Sequence, residues 1–125
     1  MRTIEKQNYA KGLIELRDWK HTLTIRPNYK LNELSAYNLV KRLANRLRTI
    51  IFFTMEKDRD SKHKHLHLLL DKPTTKEQTY KSLKIKKESI TYSEPIISKS
   101  CIASYVTKHL NNNNPNSHHD ICLGE

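Results

Sequence analysis

His65-Leu66-His67-Leu68 sets two imidazoles two residues apart inside an apolar run, Lys64–Leu70. On an extended strand side chains alternate between faces, so both imidazoles project to one side and Leu66, Leu68 and Leu70 to the other. Two imidazoles so placed can share a metal ion. Glu56 stands nine residues before His65, at the end of the β-branched and aromatic run Thr49–Glu56, and has the parity of Phe52 and Thr54. Antiparallel pairing of the two runs, across the charged connection Lys57–Lys62, would bring its carboxylate beside both imidazoles. One carboxylate with two imidazoles makes an open site for a divalent ion, with positions left for substrate. The alternative for Glu56 is a solvated charge at a strand end. His63 has the same parity and reads as a ligand, a phosphate contact or an exposed side chain where the strand begins.

A nucleophile is offered by Ser104-Tyr105-Val106-Thr107-Lys108. The segment Ser100–Leu110 reads as a helix, with Ile102, Val106 and Leu110 four apart, and on it Tyr105 and Lys108 are neighbours. A phenol of ordinary pKa near 10 needs activation at neutral pH, which a metal-polarised phosphate and a nearby ammonium would supply. Of the six tyrosines, only Tyr105 has a lysine at the third following position. The competing reading is a tyrosine packed in the core. His118, His119, Asp120 and Cys122 form a second group of possible ligands, read as fortuitous clustering in a polar stretch rather than a structural metal site.

The elements that would position these residues follow from periodicity. Lys20–Arg26 alternates as a strand that Pro27 ends; Leu34, Tyr37, Val40, Leu43, Ala44 and Leu47 recur at helical spacing after an Asn32 cap. Lys41, Arg42, Arg46 and Arg48 take the rest of that helix surface and, with the lysines around 81–87, suit contacts to backbone phosphates. Thr74-Thr75-Lys76-Glu77 has the form of a capping box opening a helix to about Leu83, and Ser89–Ile97 reads as a strand interrupted by Pro95. The order β-α-β-β-α-β-α predicts an α+β fold, a ferredoxin-like or RRM-like antiparallel sheet with helices on one face and the other face open to a ligand. The expected organisation is an extension over 1–19, one domain over 20–110 and a polar tail over 111–125.

Bulk composition narrows the partners. The chain has 125 residues, with 23 Lys+Arg against 13 Asp+Glu, a formal charge of +10. Such a field gathers polyanions, and nucleic acid heads the list. Two glycines leave no glycine-rich phosphate loop, so ATP-driven chemistry is not supported. No apolar run approaches the roughly 20 residues that cross a bilayer, and the first residues have no signal-peptide core, so a soluble intracellular protein is expected, without membrane partners. Cys101 and Cys122, outside any CxxC pattern, suit a reducing compartment.

Taken together, Thr22-Leu23-Thr24, then His65-Leu66-His67, then Tyr105-Val106-Thr107-Lys108, over about residues 20–110, resemble the motifs of the HUH endonucleases, specifically the rolling-circle replication initiator (Rep) proteins of small viruses, phages and plasmids. Motif order matters, because relaxases carry the tyrosine before the histidine pair. The resemblance implies Mn²⁺ or Mg²⁺ held by Glu56, His65 and His67, with Tyr105 attacking single-stranded or hairpin origin DNA to leave a 5′-phosphotyrosine and a free 3′-OH. Lys108 would serve the phosphate or the phenolate; Lys41, Arg42, Arg46, Arg48, Thr22, Thr24 and His63 would contact DNA. It also implies a possible homodimer, a separate helicase and polymerase, and a cytoplasmic location, or a nuclear one for a eukaryotic virus. The chain departs from the pattern in having no second tyrosine beside Tyr105 and no helicase domain after it. A single-tyrosine transposase is the close rival, and a non-catalytic module for single-stranded DNA or RNA the rival from another class.

Overall fold

A computed structural model of the chain describes residues 17–58, 63–98 and 118–124, together with Gly12 and Glu15. From residue 17 on, the elements of the described residues in chain order are β1 (His21–Ile25), α1 (Glu33–Leu47), β2 (Ile50–Lys57), β3 (Lys64–Leu70), α2 (Lys76–Leu83), a 3-10 turn (Lys87–Ser89), β4 (Ile90–Pro95) and β5 (His118–Leu123). The strands form one sheet in the order β4-β1-β3-β2-β5, and every neighbouring pair is antiparallel. With α1 and α2 packed against this sheet, the α+β architecture expected from the sequence is the one observed.

Alternation decides which side chains meet the helices. Leu23 and Ile25 on β1, Ile51, Phe53 and Met55 on β2, and Leu66, Leu68 and Leu70 on β3 join one buried cluster with Ala36, Leu39, Val40, Leu43 and Ala44 of α1. The helix is held at its start by a reciprocal cap: Ser35 N–H donates to Asn32 Oδ1 at 2.8 Å and Asn32 N–H to Ser35 Oγ at 2.9 Å. Such a cap satisfies backbone donors that the first turn leaves without helical acceptors. Leu34, assigned to the apolar stripe from its spacing, is 69% exposed. The stripe that faces the sheet runs through residues 36, 39, 40, 43 and 44, and Leu34 lies in the first turn outside it. In α2 the cap is Thr75, whose side chain accepts from Gln78 N–H, one residue later than the Thr74 start expected.

Residues 111–125 read as a tail from their composition, yet His118–Leu123 adds to the sheet edge, pairing Ile51 with Cys122 and Phe53 with Asp120. The polar run preceding it conceals a short alternating segment, in which Cys122 packs into the core beneath α1. Gly124 follows at a close approach of backbones: a Cβ there would lie 2.3 Å from the Ala44 carbonyl oxygen and 2.5 Å from that of Thr49. The other face of the sheet is not simply open, because Phe52, Thr54 and Leu69, which point away from the helices, are buried. Among the described residues, no helix is long and apolar enough to cross a membrane.

His21 shares the face of Leu23, is buried, and has its Nε2 2.8 Å from Ser93 Oγ on β4. Burial holds its pKa below the ordinary 6.5, with the Glu94 carboxylate opposing the shift. Between its folded pKa and the unfolded value the unfolded chain binds the proton and the folded one does not, so stability falls as pH drops through that window. In urea titrations between about pH 7.5 and about pH 5, His21→Asn should flatten this loss relative to the unmodified chain. Gly124→Ala should lower the urea midpoint by an amount equivalent to about 1–3 kcal/mol, since the obstructing atoms are backbone and cannot rotate away.

Candidate metal centre

The β2–β3 ladder places Glu56 directly opposite His65, and Thr54 opposite His67. Even-numbered residues of β2 and odd-numbered residues of β3 therefore share the face turned away from the helices, and Leu66 and Leu68 anchor the opposite face in the core. A donor atom from each of Glu56, His65 and His67 lies within 4.8 Å of the others. His65 Nε2 is 3.5 Å and His67 Nε2 3.4 Å from the same carboxylate oxygen, Glu56 Oε2. The two rings stand edge to face, centroids 4.7 Å apart at 89°.

Both imidazoles are oriented by the nitrogen that faces away from Glu56. His65 Nδ1 bonds the Asp58 carboxylate, which only accepts and so requires the proton on Nδ1 and leaves Nε2 as a lone pair. Asp58 is in turn held by Arg26, whose guanidinium donates to the same oxygen at 2.6 Å. His67 Nδ1 lies 3.1 Å from Thr24 Oγ1 on the neighbouring strand β1, and with Nδ1–H donating to that hydroxyl, its Nε2 also presents a lone pair. Carboxylate or hydroxyl partners behind ligating imidazoles are the usual way of fixing a tautomer and raising ligand basicity.

This donor set fits a divalent cation. Two ligand atoms each about 2.1 Å from one ion, at angles between right and tetrahedral, are about 3.0–3.5 Å apart, the range in which both Nε2–Oε2 separations fall. His65 is 7% exposed, and Glu56 and His67 are partly buried, so the centre is recessed but reachable. Thr54, fully buried on the same face, has a hydroxyl without a hydrogen-bond partner among the described residues.

Other candidates fall elsewhere. Thr24 positions His67 rather than presenting its hydroxyl to a ligand; Thr22 is half-buried on the same face, and His63 is exposed just before β3. Lys41, Arg42, Arg46 and Arg48 belong to the helical layer, across the sheet from the three candidate ligands. Arg42, Arg46 and Arg48 are exposed, whereas Lys41 bonds the carbonyl oxygen of Leu123. Tyr105 and Lys108 lie outside the described residues. Of the group His118, His119, Asp120 and Cys122, the side chain of His119 lies outside the described residues, and the described ones do not form a second centre: His118 Nδ1 faces Glu33 at 3.6 Å, and the buried Cys122 thiol sits 4.0 Å from the Tyr37 carbonyl. Burial, and then Asp120, push that thiol's pKa up to about 12.

Asp58 and Arg26 escaped the sequence reading. Asp58 sits in the run Lys57–Lys62, which reads as a charged connection, and only the 2.8 Å bond from Asp58 N–H to the His63 carbonyl extends the hairpin far enough to aim its carboxylate at His65. A carboxylate two residues beyond Glu56, at the same parity, was the available signal. No family model, curated protein or solved structure matches the chain. Replacing Asp58 with alanine should weaken Mn²⁺ binding about 10- to 100-fold, and Glu56→Ala, which removes a ligand, should weaken it further; titration of the free ion by electron paramagnetic resonance reads both.

Proposed function

We propose that the chain is a metal-dependent nickase of single-stranded DNA, of the HUH Rep type, acting through a covalent tyrosine intermediate. The observation that carries the proposal is the convergence of two imidazole Nε2 atoms on one Glu56 oxygen, with both Nδ1 atoms occupied behind them. Support also comes from the charge of +10 and from the order of the Thr-Leu-Thr, His-Leu-His and Tyr-x-x-Lys segments.

Glu56, His65 and His67 would hold the ion, two imidazoles favouring Mn²⁺ over Mg²⁺. Bound there, it would draw charge from the non-bridging oxygens of a scissile phosphate and so stabilise the transition state. Asp58 and Thr24 keep the two rings from rotating, so that no reorganisation is needed when the phosphate arrives. The Tyr105 oxygen, its proton lost to water, attacks phosphorus; the bond from phosphorus to the 3′ oxygen of the preceding nucleotide breaks, and that oxygen takes up a proton. The products are a 5′-phosphotyrosine and a free 3′-OH. Lys108 lowers the cost of the phenolate or of charge on the phosphate. Because the phosphodiester is exchanged rather than hydrolysed, a later 3′-OH can attack the adduct and rejoin the ends without a nucleotide cofactor.

Incubation with labelled single-stranded and hairpin oligonucleotides, followed by denaturing gels, tests this. With Mn²⁺ the unmodified chain should give a cleaved product and a covalent adduct, both lost with EDTA and in Tyr105→Phe. Binding without cleavage, unchanged by EDTA, would instead establish a nucleic-acid-binding module in which the histidines are structural.

A further inference from the structure

The edge strand β4 carries an irregularity next to the metal centre. Thr24 pairs with Tyr92 and Ile25 with Ile90, so Thr91 is an extra residue, a bulge. In an unbroken strand residues 90 and 92 would share a face. The bulge separates them: Ile90 enters the core at 1% exposure, while Tyr92 takes the register position beside Thr24, on the face of Glu56, His65 and His67. Bulges are common where a side chain is re-aimed beside a site. Tyr92 is 52% exposed, and among the exposed large apolar side chains of the described residues it is the only aromatic on a strand of the sheet. From Tyr92 to Thr24 to His67 is a step of two strands, about 10 Å at ordinary strand spacing.

We infer that Tyr92 is a stacking platform for a base of the DNA strand bound at the Glu56–His65–His67 centre. The inference rests on the nickase reading, and identifies where that strand lies: across β3 and β1 toward β4. An aromatic face held on a rigid strand binds a base without regard to sequence. Glu94, on the same face two residues along β4 and exposed, repels phosphates, which turns the base rather than the backbone toward this edge. The sheet thus offers a ligand face with unlike parts, cation ligands on β2 and β3 and an aromatic ring on β4.

Fluorescence anisotropy in EDTA, with a labelled oligothymidylate of about 20 nucleotides and an abasic deoxyribose-phosphate strand of the same length, tests the inference apart from cleavage. Tyr92→Ala and Tyr92→Leu should weaken oligothymidylate binding about 5- to 100-fold and leave the abasic strand unaffected; Tyr92→Phe and Tyr92→Trp should bind both probes as the unmodified chain does. The dependence on salt should not change, because no charge is removed. Unaltered binding by Tyr92→Ala and Tyr92→Leu, or equal weakening on both probes, would overturn the stacking role even where the metal-dependent adduct still forms. Failure of the unmodified chain to bind either probe would overturn the inference, and absence of the adduct as well would remove the nickase reading with it.

Discussion

The register between β2 and β3 is the constraint on which the remainder depends. A slip of one residue would exchange the faces of every side chain on one strand, sending Leu66 and Leu68 to the ligand face and His65 and His67 into the core. The alternation opposes this at each step, since three leucines of β3 and three large apolar residues of β2 are committed to the cluster under α1. Apolar burial of this kind is non-directional, but on a pleated strand it becomes directional, because the residue between two buried leucines has nowhere to point except the opposite face. The centre is in this sense a by-product of the core: packing the leucines presents the imidazoles.

Placement alone does not make a site, because an imidazole ring can still rotate about its side-chain bonds. Here rotation is limited by partners from outside the hairpin's own ladder, Thr24 from β1 and Asp58 from just beyond β2. These bonds also answer the cost of burial, since a buried ring nitrogen without a partner would be penalised. Arg26, at the end of β1, completes the chain by holding Asp58, so the strand that supplies Thr24 also braces His65 at second hand.

Charge and chemistry are separated across the sheet. Arg42 and Arg46 of α1 face solvent from the helical layer, whereas the recessed carboxylate and imidazoles occupy the other face, flanked by buried Phe52, Thr54 and Leu69. A net charge of +10 can still gather a polyanion over a range of about a Debye length, roughly 8–10 Å at ordinary salt. The sheet face itself offers three candidate cation ligands on two strands and an exposed aromatic ring on a third.

Much of this was legible in the residues. Alternation in Lys64–Leu70, the Asn32 cap and the parity of Glu56 identify the hairpin, the first helix and the three donor residues, because each signal is local and rests on a side-chain period of the backbone. The structure alone revealed the relations between segments distant in sequence. Pairing of His118–Leu123 with β2 recruits a segment whose composition reads as a tail; the bulge at Thr91 reverses the face of Tyr92; α1 carries its arginines to the far side of the sheet from the centre. Asp58 reaches His65 only once the hairpin has closed. Periodicity determines which face of its own element a residue occupies, but the partner strand, the irregularities of register and the face a helix covers are settled by packing the whole chain, where burial of apolar surface outweighs local preference.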